Sequence, residues 1–200
     1  DGMVSMGYTS YNGDHRVGGI VGYISESSRV TKGTNGARIE GLNSNYNYSR
    51  MGGIAGSASS NSVIDSCVNA GDIITSSKYI GGICGTGGQI SCCVNYGKIK
   101  ADNLSYRVAG IAFDATIEKC VNSGSIVLPM MSQNDCYVAG IGIGRSVKYS
   151  YNVGEITGKN AQYTAGVCVS GTCEYNYNAA QLTGDHVYAV CNTTNSHCFY

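Results

Sequence analysis

Ten cysteines, three histidines and 13 acidic side chains are the residues in this 200-residue chain that could hold a metal, act as nucleophiles or move protons. A structural zinc site needs four thiolate or imidazole ligands at short, paired spacings. No CxxC followed by a second CxxC or an HxxxH occurs, and His15, His186 and His197 are scattered. Cys92 and Cys93 are adjacent, so on a strand they point to opposite faces and cannot share one chelate. Glycoside cleavage needs two carboxylates flanking one bond. Asp65, Glu118 and Glu174 recur at equivalent places, but Ser91 and Lys148 interrupt them. No GxSxG, Walker or HExxH pattern is present, and Gly85-Thr86-Gly87-Gly88 lacks the Gly-Lys-Ser or Gly-Lys-Thr of a phosphate loop. The sequence therefore predicts no catalytic residue, no metal ligand and no cofactor site.

What the chain does contain is a repeat. Val17-Gly18-Gly19-Ile20-Val21-Gly22 returns as Met51-Gly52-Gly53-Ile54-Ala55-Gly56 and Ile80-Gly81-Gly82-Ile83-Cys84-Gly85. Looser copies begin at Val108, Val138 and Thr164. A second block, Cys67-Val68-Asn69-Ala70-Gly71-Asp72-Ile73, recurs from Cys93 and Cys120 and then, less closely, from Ser150 and Asn176, with a weak first copy in Gly33 to Ile39. From the start of block one to the end of block two is 18 steps in three copies (108 to 126, 138 to 156, 164 to 182) and 19 or 22 in the others. A fixed core joined by a loop of variable length is the pattern of stacked coils.

The elements that must carry these blocks are strands. Apolar positions alternate over short stretches and never follow i, i+3, i+4, i+7 across 11 residues. Glycine inside every block costs about 1 kcal/mol per site in a helix. Val, Ile, Tyr and Thr favour pleated surfaces. The fold class expected is all-β: a single-stranded parallel β-helix, right-handed, of 6–7 rungs with 26–30 residues and about three short strands each. One domain spans 1–200, with 1–16 as an irregular first rung, 17–182 as six repeats and 183–200 as a partial last rung.

Stacking converts the alignment into columns. Ile20, Ile54, Ile83, Ile111, Ile141 and Val167 form one inward ladder. Ile64, Ile90, Ile117, Val147 and Cys173 form a second, and Ile73, Ile99, Ile126, Ile156 and Leu182 a third. Asn69, Asn95, Asn122, Asn152 and Asn178 form an unbroken asparagine column whose amides can bond up the stack at a corner, with Gly71, Gly97, Gly124 and Gly154 supplying positive φ beside it. Cys67, Cys93 and Cys120 share a column of small buried hydrophobes. Cys168, Cys173, Cys191 and Cys198, on the last two rungs, are the candidates for a disulfide. The column Arg38, Asp72, Lys98, Ser125, Glu155 and Gln181 faces water, with Asp72 and Lys98 as a cross-strand ion pair. Tyr149 above Tyr175 and Tyr151 above Tyr177 look outward and form a candidate ligand or partner surface. Segments 40–50, 100–107 and 127–137 are loops on which specific contacts would be carried.

Composition narrows the classes further. Charged residues make up 13%, about half the usual share, and the formal net charge is zero. Nothing in that balance steers the chain toward nucleic acid or an anionic membrane. No apolar run reaches the roughly 18 residues of a membrane-spanning helix. The start at Asp1-Gly2-Met3-Val4 lacks the layout of a signal peptide, as expected of a mature product or an excised piece.

The hydrophobic-Gly-Gly-Ile-x-Gly block, followed by Cys-Val-Asn-x-Gly-x-Ile, resembles the GLUG-type repeats of bacterial surface proteins. The likeness covers about residues 17–182 and is closest at 18–22, 52–56 and 81–85. It implies an extracellular or surface-anchored solenoid that is not an enzyme, a spacer or adhesive scaffold presenting other domains of a larger surface protein. Two other functions stay open: a fibre built from copies stacked end to end, and a glycan-binding or carbohydrate-processing β-helix. A host protein or glycan would be the partner of the tyrosine surface.

Overall fold

The computed structural model describes residues 2–6, 14–41, 49–102, 105–128, 135–193 and 195–200. Among them there is no helix, and every strand is two to four residues long. The chain is a parallel β-solenoid. One circuit runs through sheet one (Arg50–Gly52), sheet two (Ala55–Ala58), sheet three (Val63–Asp65), sheet four (Val68–Asn69) and sheet five (Ile73–Thr75). Each strand pairs in parallel with its own copy one circuit away, so the described strands make sheets of seven, six, seven, six and seven strands.

Five strands per circuit replace the three expected from repeat length. The reason is that corners are tight: two residues, the first of them left-handed, separate sheet three from sheet four, and three residues separate sheet four from sheet five. That left-handed corner is filled by Lys32, Ser66, Cys92, Lys119, Tyr149, Tyr175 and His197, all with φ between 51° and 55°.

The interior has two lobes. In one, Ile54, Ile83, Ile111, Ile141 and Val167 pack on Ile64, Ile90, Ile117, Val147 and Cys173. In the other, Ile73, Ile99, Ile126 and Ile156 pack on Met51, Ile80, Val108 and Val138, with Leu182 at the margin. The Met51 to Val138 column is a fourth ladder that sequence columns did not single out. Full burial of each such side chain contributes about 1.5–3 kcal/mol. Ile20 departs from the expected first ladder and is 46% exposed. The strand that follows it, Val21–Ile24, is an edge of sheet two, so no described circuit covers this end on that side.

The register also revises the alignment of the later copies. Cys84 pairs with Ala112, but Phe113 pairs with Thr86 and not with Gly85. Gly85 is thus an inserted residue, absent from circuits in which Phe113 pairs with Ile143 and Ile143 with Val169. In the early circuits a Cβ on Gly85 would lie 2.8 Å from the Met51 backbone nitrogen, so sheets one and two meet backbone to backbone. Later, Ala109, Ala139 and Ala165 take the place of Gly81, and Ile143, Val169 and Phe113 fill the widened gap. What reads as a lost glycine is a deletion compensated by apolar bulk.

Candidate functional site

Three constellations could carry function: the asparagine column, the cysteines and the exposed aromatic columns. The first is the most regular. Asn69 Nδ2 donates to Asn95 Oδ1 at 2.8 Å, Asn95 to Asn122 at 2.8 Å, Asn122 to Asn152 at 2.8 Å and Asn152 to Asn178 at 3.0 Å. Asn35 extends this chain, donating to Asn69 at 2.8 Å. The weak first repeat copy hid it in the sequence. Each Nδ2 also donates to the carbonyl two residues on, as Asn95 does to Gly97 at 3.0 Å. Oδ1 of Asn69 accepts the Gly71 N–H as well. The amides are buried and, from Asn69 to Asn152, donate both to the next amide and to a backbone carbonyl, which suits a structural spine; Asn178 Nδ2 at its end donates to the Ala180 carbonyl alone.

The glycines beside this column serve space, not dihedral freedom. Gly71, Gly97, Gly124 and Gly154 do not have positive φ; among the described residues the glycines that do are Gly87, Gly88, Gly144 and Gly171. A Cβ on Gly97 would run into the Gly71 carbonyl and lie 2.8 Å from Asn69 Nδ2. A second glycine column, Gly53, Gly82, Gly110, Gly140 and Gly166, faces the spine from sheet two's side, and a Cβ on Gly110 would lie 2.5 Å from Asn122 Cγ. Glycine and asparagine together form the waist between the two apolar lobes.

The cysteine column does more than fill space. Around the left-handed corner the direction of backbone donation reverses: Ser66 N–H donates to Ser91 in the following circuit, whereas Val68 N–H donates to Gly33 in the preceding one. The residue between them, Cys67, donates its N–H to Cys93 Sγ at 3.4 Å, and Cys93 N–H does the same to Cys120 Sγ at 3.4 Å. Where the cysteine is lost, Cys120 N–H reaches Ser150 Oγ at 3.0 Å and Ser150 N–H reaches Asn176 Oδ1 at 2.9 Å. Thiol, hydroxyl and amide are interchangeable acceptors here, which is why the column drifts from Cys to Ser to Asn. The Cys93 thiol is pushed up to about 12 by its Cys120 contact and by burial, so it is chemically quiet. Cys92, one residue earlier, is exposed.

The four late cysteines lie close together as free thiols. Cys173 Sγ is 3.7 Å from Cys198 Sγ, and Cys168 pairs in register with Cys191. Cys168 is pushed upward by its contacts with Cys173 and Cys191 and by burial, while Cys191, accepting from Cys168, Cys173 and Thr193, is held below the usual thiol range.

Tyr149, Tyr151, Tyr175 and Tyr177 are all exposed, as expected. Tyr149 and Tyr175 stack with centroids 5.2 Å apart, and Tyr175 and His197 with centroids 4.7 Å apart, both pairs 11° from parallel. Tyr175 therefore has both ring faces covered, and the stack offers a ligand ring edges. Tyr151 and Tyr177 occupy the column held earlier by Val68, Val94 and Val121, and Phe199 continues it through a bridge to Tyr177. Cys198-Phe199 repeats the opening of the second block, which places Phe199 in this column, whereas only the register sets His197 beside Tyr175.

The carboxylates Asp65, Glu118 and Glu174 share an outward column with Ser91 and Lys148. Each is engaged: Asp65 accepts from Ser91 at 2.6 Å and from Ser66, which hold it below its ordinary range, and Glu174 pairs with Lys148 at 2.9 Å. Asp72 does not meet the Lys98 ammonium as expected; it accepts the Lys98 backbone N–H at 2.9 Å, because the carboxylate reaches the following circuit's edge first. No group of three or more metal-ligating side chains with suitable geometry occurs among the described residues. No helix in them is long and apolar enough to cross a membrane. Of the expected contact loops, 42–48, 103–104 and 129–134 lie outside the described residues. Comparison with protein-family models, curated proteins and solved structures finds no match.

Proposed function

We propose that the chain is a non-enzymatic structural or adhesive module of a secreted or surface-exposed protein, a right-handed solenoid of six to seven rungs that spaces or presents other parts. The observation that carries this reading is the continuous, buried amide chain from Asn35 to Asn178, which commits the interior to rigidity. The GLUG-like blocks support the surface location. The aromatic patch of Tyr149, Tyr151, Tyr175, Tyr177 and Phe199 is the surface this reading assigns to a host protein or glycan, since contiguous exposed apolar groups mark contact sites. Incubation with a panel of polysaccharides tests it: no released sugar is expected, and hydrolysis would sink it. A glycan array read with the wild type and with Tyr149→Ala plus Tyr175→Ala separates sugar binding from protein binding; glycan signal lost in the variant would favour the carbohydrate reading.

End-to-end assembly is the second reading. It is favoured by a recess of about 420 Å³ lined by Asn178, Leu182, Val187, Ala189 and Tyr200, beside open strand edges. Mass by light scattering against concentration decides: a constant 20.9 kDa species counts against it.

A further inference from the structure

Two columns of the solenoid cross near its last described circuit. In each circuit the corner thiol lies beside the second-ladder residue of the circuit before: Cys93 Sγ is 3.6 Å from the Ile64 carbonyl oxygen and Cys120 Sγ is 3.7 Å from that of Ile90. Cys198 keeps the same relation to Cys173, at 3.5 Å. Only there is the ladder residue itself a cysteine, so the geometry that elsewhere sets sulfur beside isoleucine sets two sulfurs 3.7 Å apart. We propose that Cys173 and Cys198 are a thiol–disulfide exchange pair that closes on reaction with a small-molecule disulfide such as oxidised glutathione.

The surroundings suit that chemistry. Cys173 is 1% exposed, whereas Cys198 is partly exposed and sits beyond the short edge strand Asn195–Ser196, so Cys198 meets the oxidant first. Asn176 Nδ2 lies 3.2 Å from Cys173 Sγ and 4.0 Å from Cys198 Sγ, a donor aimed at the sulfur that must become a thiolate. The sulfurs must approach by about 1.7 Å to reach bonding distance.

The Cys198 thiol loses its proton to solvent, and the thiolate attacks one sulfur of glutathione disulfide. A mixed disulfide forms and one glutathione thiolate leaves, taking up a proton. Cys173, deprotonated in turn, attacks Cys198 Sγ and expels the second glutathione thiolate. Two protein thiols are oxidised, one glutathione disulfide is reduced to two glutathiones, and the last circuit is clasped to the one before it.

The folded chain, equilibrated in glutathione buffers of rising oxidised fraction, then unfolded in denaturant and alkylated with iodoacetamide, tests this by mass spectrometry. Expected is a species lacking two hydrogens with eight of its ten cysteines alkylated. No Lys or Arg follows Lys159, so trypsin leaves all four late cysteines on one peptide, and chymotrypsin with fragmentation of the linked pair is needed. Cys173→Ser and Cys198→Ser should each abolish the bridge, while Cys168→Ser and Cys191→Ser should keep it. Closure should slow chymotryptic cutting within 185–200 by about tenfold or more. Ten alkylated cysteines at every ratio, a bridge mapping to Cys168 and Cys191, or glutathione retained on Cys198 without transfer to Cys173 would each overturn the proposal. Because the wild-type map is informative without any variant, misfolding of a serine variant cannot rescue it.

Discussion

Gly140 lies directly against the side chain of Asn152: a Cβ there would sit 2.5 Å from the amide carbon and 2.7 Å from Nδ2. The glycine of one repeat block therefore answers both to the asparagine in the other and to the Gly166 carbonyl oxygen of the following circuit, 2.0 Å from the same Cβ position. Twelve residues apart in sequence, they fill one space.

Gly140→Ala should destabilise the fold by about 1–3 kcal/mol, since the new methyl has to displace a hydrogen-bonded amide. Asn152→Ala should also cost about 1–3 kcal/mol by orphaning the neighbouring amides. Combined, the two should cost somewhat less than their sum, because the amide's share of the space is then vacated while the Gly166 carbonyl still opposes the methyl. Urea melts of the four proteins in a double-mutant cycle check this, and strict additivity would refute the shared contact.

Asn95→Asp keeps the shape but removes the Nδ2 that serves Asn122 and Gly97 and sets a carboxylate against carbonyl oxygens. Burial among acceptors raises that carboxyl above its unfolded value near 4, so the variant should be most stable in acid and lose stability as pH rises through about 4 and beyond. Wild-type stability should show no such slope from this site. Thermal melts between pH 3 and pH 7 make the comparison.

The fold class, the three expected ladders and the asparagine column were legible because each rests on like residues recurring at one spacing. Other features needed coordinates. Gly85 looks like a member of a conserved column in the text of the repeats, yet it is an insertion, and only backbone pairing with Thr86 reveals that. The left-handed corner was assigned to glycine, whereas Ser66, Lys119 and Tyr149 occupy it, since no side-chain periodicity reports φ. The aromatic patch was half legible: Tyr149 and Tyr175 share a motif, and His197 does not.

Cys93→Ser should be tolerated within about 1 kcal/mol, because a hydroxyl already serves as acceptor at Ser150, while Cys93→Ala should cost about 1–3 kcal/mol by orphaning the Cys67 N–H. Burial raises Cys84 and Cys136 to about 12, and the Cys120 contact with burial raises Cys93 to about 12, from the ordinary thiol value of 9.0. Their contribution to stability is whole below pH 9 and declines from there toward pH 12, as the unfolded chain ionises first. Alkaline melts should show this decline, shallower in Cys93→Ser. In native titration with a thiol reagent at neutral pH, the exposed Cys92 should react well ahead of Cys93.

Thr164 stands in the buried ladder of Met51, Ile80, Val108 and Val138, and its hydroxyl has no hydrogen-bond partner. Thr164→Val should stabilise by about 1 kcal/mol, since an isosteric methyl removes an uncompensated polar group. A lower melting temperature would mean that the hydroxyl is satisfied after all.

Every amide in the spine points the same way, Nδ2 toward the following circuit and Oδ1 toward the preceding one. Aligned amide dipoles add, so the rod has an electrical head and tail even though its net charge is zero. A coil brought up in the reverse sense would set donor against donor, so the spine can be lengthened in one orientation alone.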